Sequence, residues 1–277
     1  MRLRDSTSKI WIDFVVLIVV SVVFIVPFVF ILLTAAKTQQ QASLLQFTWP
    51  SNFQLFQNLE AVITFGDNRM LLALWNSTLL TVGSVILIVL LGAGVAFVLQ
   101  RRNDRIATIA STLMLSGLVL PPSVVPTIFV LQKIGLYKTL VGLILVEVAI
   151  QLPFAVLIFR AFMGSIPREI DEAAIIDGAS PWQLFLAVIL PLLRPAIITI
   201  VVVTAVVIYN DFTLPLYFLP GNANVTAQLT LFSFRSQFAT QWNLLFADVV
   251  IITIPPLIMY IFFQRQIVSG LTSGSIK

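Results

Sequence analysis

Between two apolar stretches the chain reads Ser165-Ile-Pro-Arg-Glu-Ile-Asp-Glu-Ala-Ala-Ile-Ile-Asp-Gly-Ala-Ser-Pro-Trp-Gln-Leu184, and a further apolar run leads to Leu190-Pro191. The pattern predicts two short helices with a bend between them. Acidic residues in the first turn suit a helix N-terminus, and Gly178 suits a left-handed C-terminal cap. Ser180 and Gln183 have the spacing of a capping box that starts the second helix.

Composition places this polar stretch inside a membrane protein. Of the 277 residues, 59% are hydrophobic and 10% are charged, and the mean hydropathy is +1.03. A soluble domain has about a quarter charged residues. The chain has no cysteine and no histidine, which removes disulfides, thiol catalysis, the commonest transition-metal ligand and the commonest general base. We expect no catalytic residue and no metal site. No segment offers the basic face that nucleic-acid binding needs.

The apolar runs predict an all-α, polytopic fold with six transmembrane helices in one transmembrane domain, 1–277. A span needs about 20 apolar residues. The predicted spans cover about 11–33, 75–99, 106–131, 140–162, 189–209 and 244–263. Pro121, Pro122 and Pro126 interrupt the third span, so we expect it to be kinked or partly unwound.

Basic residues predict the orientation. With six spans, eleven of the 16 lysines and arginines flank the side that carries both termini and the polar stretch, and five flank the other side. The positive-inside rule therefore places both termini and the polar stretch in the cytoplasm.

The sequence lacks a phosphate-binding loop of the Gly-x-x-x-x-Gly-Lys-Ser/Thr type, since no glycine is followed by lysine. We therefore expect no ATP binding by this chain in the P-loop manner. Uphill transport would have to draw its energy from a partner or from an ion gradient.

The polar stretch resembles the EAA loop of binding-protein-dependent ABC importer permeases. That pattern is Glu-Ala-Ala, three residues, Gly, nine residues, Ile, one residue and Leu-Pro. Here Glu172-Ala173-Ala174, Gly178 and Leu190-Pro191 match it, and Val188 stands in place of the isoleucine. Further elements resemble the carbohydrate (maltose-type, MalG-like) branch in the same order along most of the chain, among them Trp49-Pro50, Leu152-Pro153-Phe154 and Asn210-Asp211-Phe212. The family usually has glutamate at the position of Asp211.

The resemblance implies a type I ABC importer permease (MetI-like) fold in the bacterial cytoplasmic membrane, and a non-catalytic subunit that carries a sugar or oligosaccharide. It implies a second homologous permease, an extracytoplasmic solute-binding protein, and two ATPase subunits that hold ATP and Mg²⁺. In the family the loop sits in a cleft of the ATPase and transmits its closure, and the tail, here 264–277, reaches the ATPases. The implied coupling residues are Glu172, Ala173, Ala174, Asp177, Gly178, Leu190 and Pro191.

Helical spacing adds a contact face to this interpretation. Ile170, Ala173 and Ala174 are spaced i, i+3 and i+4, so they fall on one face of a helix. Asp171 and Glu172 flank that face and offer charges to a partner. The alternative is an ordinary capped cytoplasmic hairpin with no coupling role.

Two acids fall within predicted spans, Glu147 and Asp248. Acids in a span suggest a functional site by default, so both are candidates for a polar translocation pathway together with Asn210 and Asp211. The alternative is structural, because both acids lie near the outer ends of their predicted helices, where they can reach interfacial water.

Other classes of function remain open from the sequence. An ion-coupled secondary transporter would need ionisable groups at the membrane midplane and usually inverted repeats. An importer permease for a non-sugar solute and a structural or assembly protein of the membrane are further alternatives. A permease gene and a binding-protein gene next to this one would favour the importer.

Overall fold

The structure is a computed structural model that describes residues 4–235 and 240–273; side chains are described for 11, 13–235 and 240–264. In these residues the regular secondary structure is helical, apart from an isolated antiparallel bridge between Arg235 and Thr240, and turns and loops join the helices. The α-helices are α1 (Arg4–Ala35), α2 (Gln39–Ser43), α3 (Leu55–Arg101), α4 (Arg105–Ser116), α5 (Val124–Lys133), α6 (Leu140–Met163), α7 (Glu169–Ile176), α8 (Pro181–Gln183), α9 (Leu190–Leu192), α10 (Arg194–Tyr209), α11 (Thr213–Phe218) and α12 (Trp242–Ser273). A π-helical turn covers Leu184–Ile189, and a 3₁₀-helix covers Ala227–Phe234.

Four of the described helices are long and apolar enough to cross a membrane, and the number rises to five if one bent pair counts as a single span. The prediction of an all-α polytopic membrane fold is confirmed, but six uninterrupted spans are not observed. The four long helices contain the apolar windows Asp13–Ala35, Leu55–Arg101, Leu140–Met163 and Trp242–Gln264. The predicted coupling tail, 264–277, lies largely outside the described side chains.

The predicted third span, 106–131, is two short helices instead of one. Helix α4 ends at Ser116 and α5 begins at Val124. Pro121 and Pro122 lie between them, where proline cannot donate a helical hydrogen bond. Pro126 falls in the first turn of α5, where its missing N–H does no harm.

The predicted fifth span, 189–209, is bent. The helical stretch Pro181–Leu192 meets α10 at 74° across a single residue, Leu193. Pro191 and Pro195 flank the bend. Each removes one backbone donor and crowds the preceding turn, which is why the straight helix begins only at Arg194.

The long loops of the sequence prediction also contain helix. The predicted loop 34–72 includes α2 and the start of α3, and the predicted loop 210–243 includes α11 and the 3₁₀-helix. Within α3 the backbone leaves the helical conformation from Phe65 to Asn68, with positive φ at Gly66, Asp67 and Asn68. The polar composition of these two segments predicted loops, whereas in the structure parts of both segments are helical.

The chain forms two compact units. The first comprises Met1–Leu71 and Thr230–Ile254 within the described residues. Its interior is polar around Asn58, which is buried. The Asn58 amide donates to the carbonyls of Ala35 and Lys37 at 2.7 and 2.9 Å and accepts from Asn243 at 2.9 Å. Asn58 thereby joins the end of α1 to α3 and to the start of α12.

The second unit comprises Leu72–Leu229 and Pro255–Lys277 within the described residues, and it contains the main apolar core. Small residues let α3 and α6 approach closely. A Cβ built on Gly92 would lie 3.1 Å from the Cβ of Ala155, which is tighter than ordinary contact. Phe159 and Ile200, both fully buried, bring α6 and α10 into the same core.

Candidate functional site

The first helix of the polar stretch, α7, ends in a complete Schellman motif. The N–H of Gly178 donates to the carbonyl of Ile175 at 3.0 Å, and the N–H of Ala179 donates to Ala174 at 2.9 Å. Gly178 has a φ of +85°, the left-handed conformation that this motif requires. No atom lies within 4 Å of a Cβ built there, so backbone conformation and not crowding demands glycine.

The second helix starts with the predicted capping box. The Ser180 hydroxyl accepts from the Gln183 N–H at 3.3 Å, and the Gln183 side chain accepts from the Ser180 N–H at 2.8 Å. The helix then widens into the π-helical turn, where the N–H of Leu190 donates to the carbonyl of Phe185. Pro191 follows directly, and because proline has no backbone N–H it cannot donate the hydrogen bond of an α-helix at this position. Val188 and Leu190 of the motif are half-buried against the core.

An ion pair fastens this segment to the end of α3. Arg101 Nε lies 2.6 Å from a carboxylate oxygen of Asp171, and the two side chains are 15% and 13% exposed. Arg101 also donates to the carbonyl of Ile166 at 3.4 Å. Asp171 is therefore engaged within the chain and is not free to pair with a partner, which differs from the role predicted for it.

The exposed face of α7 also differs from the predicted one. Ile170 and Ala174 are half-buried, and Ala174 packs against the core, whereas Ala173 is exposed. The large exposed apolar side chains are Ile175, Ile176 and Trp182, of which Ile176 is 84% exposed. Sequence reasoning missed these three residues; the signal was their apolar character inside an otherwise polar stretch. The exposed motif residues are Glu172, Ala173, Asp177, Gly178 and Pro191.

Among the pathway candidates, Glu147 and Asp211 lie together. The carboxyl group of Asp211 is close enough to that of Glu147 for the two to interact. Glu147 is 1% exposed, so the expectation that it reaches interfacial water is wrong: the packing of α10 and α11 on α6 covers it. Asp211 also accepts from the N–H of Thr213 at 2.8 Å, which starts α11.

Asn210 ends α10 beside this pair, and its side-chain oxygen accepts from Gln228 at 3.3 Å. Asp248 belongs to the other compact unit. It is 0% exposed and accepts from the hydroxyl of Thr230 at 3.0 Å. The expectation of interfacial water is wrong for Asp248 as well, because its side chain is fully buried. Among the described residues no three acidic side chains converge as metal ligands would.

The Glu147–Asp211 contact gives a stability prediction. Glu147→Ala removes a fully buried polar side chain beside the half-buried Asp211 and is expected to destabilise the chain by about 1–3 kcal/mol. Glu147→Gln keeps the size of the side chain and places an amide donor near Asp211, so it should unfold close to the unmodified protein in a thermal scan of the purified chain. Glu60→Ala removes an exposed glutamate and is the control. Equal unfolding temperatures for the Ala and Gln variants would show that the contact does not stabilise the fold.

The comparison with known families decides the identity of the chain. The family described as "Binding-protein-dependent transport system inner membrane component" matches residues 88–273, which include the whole capped and bent segment. The chain belongs to this family. It is therefore a multi-pass inner-membrane component and a permease subunit of an ABC importer, and the sequence resemblance is confirmed.

The similarity to individual relatives extends beyond the region that the family model matches. The chain is 32% identical to the diacetylchitobiose uptake system permease protein NgcG of Streptomyces coelicolor, over 94% of this chain and 87% of that protein. It is 26% identical to the melibiose/raffinose/stachyose import permease protein MelC of Bacillus subtilis, over 94% of each chain.

Solved structures show the same fold. A bacterial ABC transporter involved in the import of the acidic polysaccharide alginate contains a chain that superposes with a TM-score of 0.81 at 19% identity, covering 96% of this permease and 98% of that chain. The alginate transporter in complex with its pentasaccharide-bound periplasmic protein gives a TM-score of 0.63 at 18% identity over the same shares. The predicted type I importer permease fold is thus confirmed.

Proposed function

We propose that this permease carries an oligosaccharide into the cytoplasm and is driven by ATPase subunits that dock on the segment 165–191. Two observations support the proposal together. Relatives of this chain are named for sugar import, and the chain itself carries an exposed, capped segment suited to docking. The two permease relatives described above are named for diacetylchitobiose and for melibiose, raffinose and stachyose. The transporter of similar fold imports alginate.

The ATPase contact is formed by the exposed surface around the Schellman turn. Glu172, Ala173, Asp177 and Gly178 are exposed there, and Ile176 adds an apolar side chain at 84% exposure. An apolar residue ringed by polar ones is the usual composition of a protein contact. Ala174, Leu190 and Pro191 act indirectly, since they belong to the helices that hold this surface.

The ion pair between Arg101 and Asp171 links the docking surface to the membrane helices. Arg101 is the last residue of α3, and Asp171 lies in the first turn of α7. A push on α7 is thereby transferred to α3 and, through the core, to α6 and α10. Closure of the ATPases would reach the membrane part along this route and open the pathway to the outside.

The remaining parts of the assembly lie on other chains. A second homologous permease and an extracytoplasmic solute-binding protein complete the pathway, and two ATPase subunits hold ATP and Mg²⁺. This chain has no phosphate-binding loop and supplies no catalytic group. Both termini and the docking segment face the cytoplasm. Glu147, Asn210, Asp211 and Asp248 are the polar candidates for the pathway.

Cysteine cross-linking tests the docking surface without background labelling of this chain, because the chain contains no cysteine. Ile176→Cys is expected to react with a membrane-impermeant maleimide only from the cytoplasmic side and to cross-link to the ATPase in the assembled importer. Ile134→Cys is the matched control: Ile134 is 57% exposed and lies after α5, on the predicted outer side. Labelling of Ile176→Cys from outside, or cross-linking by the control alone, would contradict the proposal.

A further inference from the structure

A second polar feature borders the docking segment and shares Arg168 with it, but the coupling route proposed above does not use it. It is a cavity of about 470 Å³ between the end of α3, the start of α4, the last turns of α6 and the residue that precedes α7. Small-molecule sites commonly measure about 300–1,000 Å³. Three arginines line the cavity together with hydroxyl and amide side chains; they are Arg102, Arg160 and Arg168.

The charge of this arginine cavity is unbalanced. No carboxylate is among its described lining residues. Asp104, next to it, is paired with Arg102 and neutralises one of the three arginines. The Ala107 N–H and the Arg102 side chain donate to Asp104 and hold the pKa of that carboxyl below its usual range. Asp171 is occupied by Arg101, which does not line the cavity. Two guanidinium charges therefore remain without a carboxylate.

Neighbouring side chains hold one of these two guanidinium groups in place. Arg160 donates to the hydroxyl of Ser111 and, from Nε, to the side-chain oxygen of Gln100 at 3.4 Å. These neutral acceptors orient the group without cancelling its charge. Arg168 is exposed, and among the described residues its side chain makes no hydrogen bond or ion pair. A guanidinium group carries five N–H donors, so most of the donors in this cavity have no acceptor in the part of the chain that the structure describes.

We propose that the arginine cavity binds a phosphate group. A phosphate offers several acceptor oxygens and negative charge, and the planar guanidinium matches its geometry in a bidentate contact. Ser111, Thr108 and Thr112 supply hydroxyls that can complete the shell. The phosphate belongs either to the head group of an anionic lipid or to a soluble phosphate. Basic pockets at the ends of transmembrane helices are a known site for such head groups.

Binding would act on the coupling segment. Arg168 is the N-terminal flanking residue of α7, Arg102 directly follows α3, and Arg160 lies in the last turn of α6. A phosphate held by all three would fasten α7 to the membrane helices. This effect on transport rests on the proposed function, whereas the binding itself does not.

The first arm of the test measures lipid selection. The intact importer is reconstituted in nanodiscs of phosphatidylcholine with a minor share of phosphatidylglycerol, extracted gently, and analysed for retained lipid by native mass spectrometry. We expect enrichment of phosphatidylglycerol, and a loss of about fivefold in that enrichment for each of Arg168→Gln and Arg102→Gln. Both side chains are exposed, so neither variant should fail to fold. Arg194→Gln removes an exposed arginine outside the cavity and should retain the enrichment.

The second arm uses inorganic phosphate in neutral detergent without anionic lipid. The unfolding temperature is measured in phosphate and in chloride at equal ionic strength. A larger rise in phosphate than in chloride, absent in Arg168→Gln, assigns the site to soluble phosphate. Lipid enrichment without this rise assigns it to the head group. The proposal is overturned if neither response occurs, or if Arg194→Gln weakens the response as much as Arg168→Gln does. Because both arms measure binding, a failure here leaves the ATPase docking untouched, and a failed cross-link leaves this site untouched.

Discussion

Gly178→Val is expected to abolish ATP-driven uptake while the chain remains inserted in the membrane. Valine is β-branched, and a φ of +85° costs such a residue about 1–3 kcal/mol, which corresponds to about 5–150-fold in the population of the capped conformation. Helix α7 has eight residues and is too short to persist without its cap. The docking surface would therefore lose its shape. Uptake by proteoliposomes and ATPase activity of the same preparation measure the effect.

Two variants separate the cap from general damage. Gly135→Val introduces the same strain, at a φ of +73° with no atom within 4 Å, in the turn between α5 and α6. We expect it to retain uptake. Gly178→Asn tolerates the left-handed conformation and should retain most of the activity. If Gly178→Val transports normally, the turn does not transmit the motion of the ATPases.

Asp171→Arg is expected to uncouple the importer for a different reason. It places two guanidinium groups against each other where Arg101 and Asp171 now pair at 2.6 Å. Breaking a buried ion pair lowers the free energy of unfolding by about 3–5 kcal/mol. We expect a loss at the lower end of this range or below it, because both side chains retain some contact with water. Helix α7 would then be detached from α3, and ATP hydrolysis would proceed without uptake.

The reciprocal exchange tests the pair directly. The double variant Arg101→Asp/Asp171→Arg restores opposite charges and should recover a large part of the uptake, with a coupling energy of about 0.5–3 kcal/mol in a double-mutant cycle. Glu169→Arg, at an exposed position of the same helix outside the docking surface, controls for added charge on α7 and should leave the pairing with Arg101 intact. Additive losses in the double variant would exclude the ion pair as the link between α7 and the membrane helices.

Local signals predicted the parts of this permease that depend on short stretches of sequence. The Schellman turn at Gly178 and the capping box at Ser180 were both predictable, because each is specified by residues within four or five positions. The long helices at 140–162 and 244–263 were predictable from the length of their apolar runs. The family resemblance depended on the same spacing, and the comparisons confirm it.

The features that were not predicted depend on residues far apart in the chain. The Arg101–Asp171 pair joins positions 70 residues apart, and it changes Asp171 from a docking residue into an anchor. The burial of Glu147 depends on α11, which falls in a stretch predicted to be a loop. The prolines of the third span predicted that it would be kinked or partly unwound, but not that it would separate into two helices. The 74° bend in the fifth span was not predicted.

The central claim is that ATPase partners drive this permease through the segment 165–191. The most direct measurement is oligosaccharide uptake into proteoliposomes that contain this chain, its partner permease, the binding protein and the ATPase subunits, compared with the same assembly without the ATPases. The account predicts ATP-dependent accumulation in the complete assembly and none in the other, whatever ion gradient is imposed. Accumulation without the ATPases would contradict it and would favour an ion-coupled transporter.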